Sequence, residues 1–149
     1  MPFALTSSAF DNGQPIPSAY TCQGQNISPP LAWKGAPTGT QSFVLVLEDP
    51  DAPGGVFRHW GVYDIPADQK GLPKGTPRDR LPIVVNDFGR AGYDGPCPPP
   101  GAPHHYHFRI AALNRKTIDV AANASVASLW QAAQPYLIGE AELIGSYSR

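Results

Sequence analysis

Apolar residues fall in short runs along this chain, parted by turns rich in proline and glycine. The run FVLVLE at 43–48 lacks polar alternation and ends at an acid and Pro50, the pattern of a strand buried on both faces. WGVYDI at 60–65 sets β-branched and aromatic residues between turn signals and stops at Pro66, which predicts a second strand. A short strand is predicted over 83–86 and a stronger one over 105–113 (HYHFRIAAL), ended by Asn114 and Arg115. Segment 67–82 carries Gly71, Pro73, Gly75, Pro77 and Pro82 among few apolar residues, which predicts a mobile surface loop that packs little. In SVASLWQAAQ, Val126, Leu129, Trp130 and Ala133 recur at helical spacing, with Ser125 as N-cap and Pro135 interrupting, so one amphipathic helix is expected. AELIGSY at 141–147 alternates loosely and predicts a returning strand. Strands parted by turns rather than by helical stretches make the chain mostly β.

The alternation matters most where the histidines are. In an extended HHYHFR, His104, Tyr106 and Phe108 project to one face and His105, His107 and Arg109 to the other. GPCPPPGAP (95–103) lies immediately before His104, so a ligand held at that loop would meet His104 first and Tyr106 one pleat along. An imidazole and a phenol hydroxyl together suit a phosphate or carboxylate oxygen. The remaining histidine, His59, follows DPDAP (49–53), whose two prolines restrict Asp49 and Asp51. Asp49 beside His59 would fix the tautomer and make a cation poised for an anion, or an acid–base pair. Both acids also serve as ordinary turn caps, and the spacing does not choose between these roles.

Composition narrows the classes. The 149 residues include 42% hydrophobic, 18 Pro and 15 Gly, which suits one loop-rich globular domain spanning 1–149 rather than disorder. With 11 basic and 12 acidic residues and no block of like charge, nothing points to nucleic acid. No apolar run reaches the roughly 20 residues of a membrane span and no secretory leader pattern opens the chain, so no membrane insertion and a cytoplasmic location are expected. Cys22 and Cys97 lie in different loops at no metal-binding spacing, and free thiols are expected, with a single bridge between them as the alternative. Zinc ligation by His105 with His107, or by His59, His104 and Asp49, has no thiol pair or HExxH helix behind it, and no metal or cofactor is expected. No serine or cysteine sits in a nucleophile elbow. Cys97, between Pro96 and Pro98, remains a secondary candidate near the pocket, as does Asp51.

Several motifs in order carry a resemblance: YTCQGQNISPPLAW (20–33), DPDAP, HWGVYDIP (59–66), NDFGRAGYDGPCPPPG (86–101) and HHYHF (104–108). Together they resemble the phosphatidylethanolamine-binding protein family in its compact bacterial branch, almost end to end. The resemblance implies a large antiparallel sheet packed on a smaller one, with one or two short peripheral helices and a small pocket near the surface. It implies that the pocket holds Asp49, His59, His104 and Tyr106, with Pro53 on its acidic side and the backbone of Gly95 and Pro96 at its rim. Phosphate-like anions, including phospholipid head groups, are the implied ligands. His105 departs from the arginine usual in the middle of the HRY triplet, so a fixed cation and its fork of donors are lost. The chain also ends at Arg149 without the longer C-terminal helix that gates the pocket in animal relatives.

The leading expectation is therefore a small-anion binding protein, not an enzyme, whose affinity falls as pH rises. The alternative is a kinase-inhibitor-like interaction module that engages a kinase or other signalling partner, with 67–82 as the capturing loop. A small ester hydrolase built on Asp49 and His59 ranks last, since no oxyanion hole is identifiable. A homodimer fits the bacterial branch.

Overall fold

The computed structural model describes residues 2–149. Among these residues, seven strands run in chain order: β1 (Ala4–Thr6), β2 (Leu31–Lys34), β3 (Ser42–Asp49), β4 (Phe57–Pro66), β5 (Gly71–Leu72), β6 (His104–Leu113) and β7 (Leu137–Tyr147). One α-helix, α1 (Val126–Ala133), precedes β7, and short 3-10 turns occupy Ser18–Tyr20 and Gln134–Tyr136. The strands make two antiparallel sheets, a four-stranded one in the order β4-β3-β6-β7 and a three-stranded one in the order β1-β2-β5. The architecture expected from the motifs, a large sheet on a small one with a short helix beside them, is the one observed.

The unbroken apolar run of β3 follows from its place between two layers. Phe43, Leu45 and Leu47 face the small sheet and join Leu5, Leu31, Trp33 and Leu72 in the larger core. Val44 and Val46 face the other way and pack with Val126, Leu129 and Ala133 of α1. Burial on both sides removes any reason for polar alternation. Helix α1 begins as its sequence suggested: Ser125 accepts from the N–H of Ser128 at 3.1 Å and the Ser128 side chain answers the N-cap N–H, a reciprocal cap. The helix lies so close to β4 that a Cβ on Gly61 would come within 2.6 Å of Val84 Cγ2 and 3.1 Å of Leu129 Cδ2.

Helix α1 covers only part of the outer face of the large sheet. The uncovered part carries His105, His107 and Arg109, each held by acids: His105 by Asp51 at 2.8 Å, His107 by Glu142 at 2.9 Å, and Arg109 by Glu48 and Glu140 at 2.7 Å each. Arg109 also lies 4.5 Å from the centroid of Trp130.

Three sequence expectations need correction. The 83–86 segment makes isolated bridges from Ile83 to Val62 and from Val85 to Ala91 and Ser125, rather than a strand. Segment 67–82 packs more than its turn residues suggested. Gly71 and Leu72 pair with β2, Leu72 is buried, and Ser28 accepts from the N–H groups of Gly75 and Thr76. Arg78 reaches the carbonyl of Ala91. Cys22 and Cys97 form a disulfide, so the thiols expected to be free are bridged. Among the described residues, no helix is long and apolar enough to cross a membrane.

Candidate functional site: a histidine-lined cavity

His59 reaches its place through an irregularity in β4. Glu48 pairs with Arg58 and Leu47 with Trp60, so β4 carries His59 as one extra residue opposite β3. Such a bulge turns two consecutive side chains to one face. Trp60 joins the inner core, and His59 lies beside it at the same face, its ring 5.5 Å from that of Tyr106. Arg58 turns outward to Glu48. On β6, regular alternation brings Tyr106 inward two residues after His104, whose rings stack 6.4 Å apart.

These residues line one cavity of about 150 Å³ together with Asp49, Ala52, Pro53, Phe57, Phe88, Cys97, Pro98 and Pro99. The four central candidates, Asp49, His59, His104 and Tyr106, are thus brought together, with Pro53 and Cys97 beside them. Gly95 and Pro96 stand outside the lining. Cys97, Pro98 and Pro99 line that side instead. Gly95 packs behind them: its N–H donates to Asn26 Oδ1 at 2.8 Å, and a Cβ at Gly95 would meet the Tyr20 carbonyl at 2.1 Å. Asp51 faces out toward His105 and also donates its N–H to Asp49 Oδ1 at 2.8 Å.

The hydrogen bonds settle which imidazole each acid orients. Asp49 accepts from Nδ1 of His104 at 2.7 Å, not from His59 as the sequence suggested. His59 instead donates Nδ1–H to the Asp94 carbonyl at 2.8 Å. A carbonyl or carboxylate oxygen can only accept here, so Nδ1 carries the proton in both rings. Among the described residues no buried side-chain nitrogen or oxygen lacks a partner, and Nε2 of His59 has none within the protein, so it opens to the cavity.

The support behind His59 is itself held by hydrogen bonds and charge. The Asp94 carboxylate receives Arg90 through two bonds at 3.0 Å and Asn86 at 2.8 Å. Burial pulls on that carboxyl in the upward direction, but these donors outweigh it and hold Asp94 below the usual carboxylate range. Burial pushes the His59 imidazole below its ordinary value despite the Asp94 carbonyl and the Asp49 charge, so the ring is kept neutral more strongly than a free histidine. Burial, reinforced by the charge of Asp49, drives the Tyr106 phenol well up, so it remains a donor. Hydrogen bonds from His105 hold Asp51 below the usual carboxylate range.

An aromatic wall completes the site and was not anticipated. Phe57 lies 5.0 Å from His59, and Phe88 lies 4.8 Å from Phe57 and 5.6 Å from His59, edge to face in each case. Phe57 stands two residues before His59, and simple alternation along β4, with Arg58 turned outward between them, puts both on one side. Phe88 sits in NDFG, and nothing local distinguishes it from a turn residue, yet it is one of two large hydrophobic side chains exposed among the described residues. Among those residues, no three His, Cys, Asp or Glu side chains gather as a metal would require.

Comparison with known proteins places this geometry in a family context. Residues 6–148 match the family model described as phosphatidylethanolamine-binding protein. A UPF0098 protein of Methanothermobacter thermautotrophicus is 45% identical over 97% of this chain and 98% of its own. The crystal structure of Escherichia coli YbcL, described as a new member of the mammalian PEBP family, superposes with a TM-score of 0.92 at 38% identity, covering 100% of this chain and 99% of that one. CT736 of Chlamydia trachomatis superposes with a TM-score of 0.91 at 37% identity, covering 99% and 98%.

Proposed function

The chain belongs to the phosphatidylethanolamine-binding protein family, and from that membership and the cavity's chemistry we propose that it binds a small phosphoryl or carboxylate head group at Asp49, His59, His104 and Tyr106. The observation that carries the reading is the pair of imidazoles, each tied through Nδ1 to an acceptor that fixes its ring. A neutral ring so tied offers a lone pair at Nε2, and a protonated one offers a donor.

Charge makes this a proton-linked site. The lining contains one fixed charge, the carboxylate of Asp49, and neither lysine nor arginine. An anion is therefore attracted only when an imidazole takes up a proton, and the ligand supplies the reason for that uptake. Tyr106 adds a donor that stays protonated. Phe57 and Phe88 line the cavity with apolar rings, and a charged contact made against them is stronger than one in open water.

Size limits the ligand. The cavity of 150 Å³ equals roughly five waters at about 30 Å³ each. It lies below the ~300–1,000 Å³ of pockets that enclose drug-sized molecules. A head group enters while longer substituents stay outside. Pro53 closes the acidic side, Asp51 steadies Asp49, and Gly95 and Pro96 act from behind by setting where Cys97 stands. An oxidising compartment, rather than the cytoplasm expected from the sequence, suits the bridged cysteines.

The test is an NMR titration with inorganic phosphate and phosphoethanolamine, following phosphorus and histidine ring signals. Saturable shifts of the His59 and His104 rings, lost in His104→Ala, support the reading. Unchanged affinity in both His59→Ala and His104→Ala proteins would sink it.

A further inference from the structure

The disulfide lies at the edge of the cavity, outside both apolar cores. Cys97 lines the cavity, and its partner Cys22 lies 75 residues away in sequence. Both cysteines are exposed, and neither belongs to either apolar core. Exposed bridges are open to thiol–disulfide exchange, whereas buried ones are protected from it.

The bonds around Cys97 divide sharply at that residue. On its N-terminal side the wall is secured without the bridge. Tyr93 donates its hydroxyl to the Tyr20 carbonyl at 2.6 Å, Gly95 N–H reaches Asn26, and Cys22 N–H donates to the Pro96 carbonyl at 3.1 Å. On its C-terminal side, 98–103 has four prolines, which have no N–H to donate, and no strand ladder begins until His104. The bonds tying this stretch down run to Arg149, from its Nε to the Pro98 carbonyl at 2.7 Å and from Gly101 N–H to its carbonyl at 3.3 Å. The disulfide is the covalent tether that keeps Pro98 and Pro99 against the cavity.

We propose that the Cys22–Cys97 disulfide is a redox modification site that controls the anion pocket. The inference rests on the anion-binding reading and adds its regulation. A thiolate of an external dithiol attacks one exposed sulfur, forming a mixed disulfide while the other cysteine leaves as thiolate. The second thiol of the reductant resolves the mixed disulfide, so the protein bridge gains two electrons and two protons and the dithiol becomes a disulfide. With the tether open, the 97–103 wall loosens, the cavity loses one side, and ligand leaves. In an oxidising compartment the wall is held and the pocket is competent, and under reducing conditions it is slack.

The experiment compares phosphate affinity by phosphorus NMR in oxidised protein, in protein reduced with dithiothreitol, in the same sample reoxidised, and in a Cys22→Ser, Cys97→Ser protein. Reduction and the double substitution should each weaken binding roughly tenfold, since the wall is then ordered only on binding. Reoxidation should restore it, with far-UV circular dichroism native throughout. Equal affinity in the oxidised and reduced states overturns the proposal, and so does loss of the β spectrum on reduction, which would make the bridge a global staple. Should the oxidised protein not bind phosphate, the anion reading fails by itself, and amide exchange then judges the tether. Faster exchange at Gly101 and Ala102 on reduction, with the large sheet unchanged, supports it, and unaltered exchange there overturns it.

Discussion

The carboxylate of Asp49 accepts a 2.7 Å hydrogen bond from Nδ1 of His104, across 55 residues of chain. The next histidine repeats the arrangement on the opposite face of the sheet, where Asp51 accepts from Nδ1 of His105 at 2.8 Å. One proline-stiffened turn thus grips two consecutive histidines from both sides of β6. Only the inner pair meets the cavity.

Loss of the inner grip should weaken binding. In Asp49→Ala the His104 ring loses its acceptor and rotates freely. A hydrogen bond to a charged group contributes about 1.5–3 kcal/mol, so phosphate affinity should fall at least roughly tenfold. The check is a phosphorus NMR titration, with histidine ring signals reporting the freed imidazole. Affinity equal to that of the unsubstituted protein would mean that Asp49 does not orient a binding group.

The outer face supplies the control. His105→Ala and His107→Ala remove side chains whose partners, Asp51 and Glu142, lie away from the cavity. Phosphate affinity should stay within about twofold in both, since exposed ion pairs contribute little, while His104→Ala abolishes binding. A large loss in His107→Ala would contradict the assignment of faces.

Stability and binding should respond to acid in opposite directions through His59. Its folded-state proton affinity is depressed by burial, so the unfolded chain binds the proton more readily. The stability this group contributes is complete above its unfolded value, near pH 6.5, and is lost as pH falls from there toward the lower folded value. Urea midpoints should therefore decline below about pH 6.5, and less so in His59→Gln. Saturating phosphate should reverse the decline, because binding requires the protonated ring. Calorimetry in buffers of different ionisation enthalpy should register proton uptake. Acid loss linked to Asp51 lies in a separate, lower window: its folded value is depressed, so that contribution is present above the unfolded carboxylate value and disappears below it.

Two glycines separate folding from binding. Gly61→Ala drives a methyl into Val84 at 2.6 Å under α1, in the helix-side core rather than on the cavity's face of the large sheet. It should cost about 1–3 kcal/mol of stability with phosphate affinity unchanged. Gly95→Ala meets the Tyr20 carbonyl at 2.1 Å, where backbone must move. It should cost at least as much and also weaken phosphate binding by displacing Cys97. Denaturant midpoints and titrations on the same samples distinguish the two.

Much of the framework was legible because it depends on neighbours in sequence. Period and length identify β3 and β6, the Ser125 cap starts α1, and alternation assigns His104 and Tyr106 to one face and His105 and His107 to the other. β1 and β2 escaped notice because three or four residues carry too little periodicity. The pairing of Asp49 with His59 looked natural from nearness in the chain. It fails because an extra residue in β4 turns His59 toward the Asp94 carbonyl, 35 residues away.

The sequence by itself thus determined the strand-forming runs, the helix and its cap, the alternation along β6, and the candidate set Asp49, His59, His104 and Tyr106. Periodicity and capping are local properties written in adjacent residues. Tertiary structure alone decided that Asp49 serves His104, that His59 is buried and kept neutral, that Phe57 and Phe88 line the cavity, and that Cys22 meets Cys97. Each depends on which segments the sheets bring together and how far they exclude water, and no local spacing encodes either.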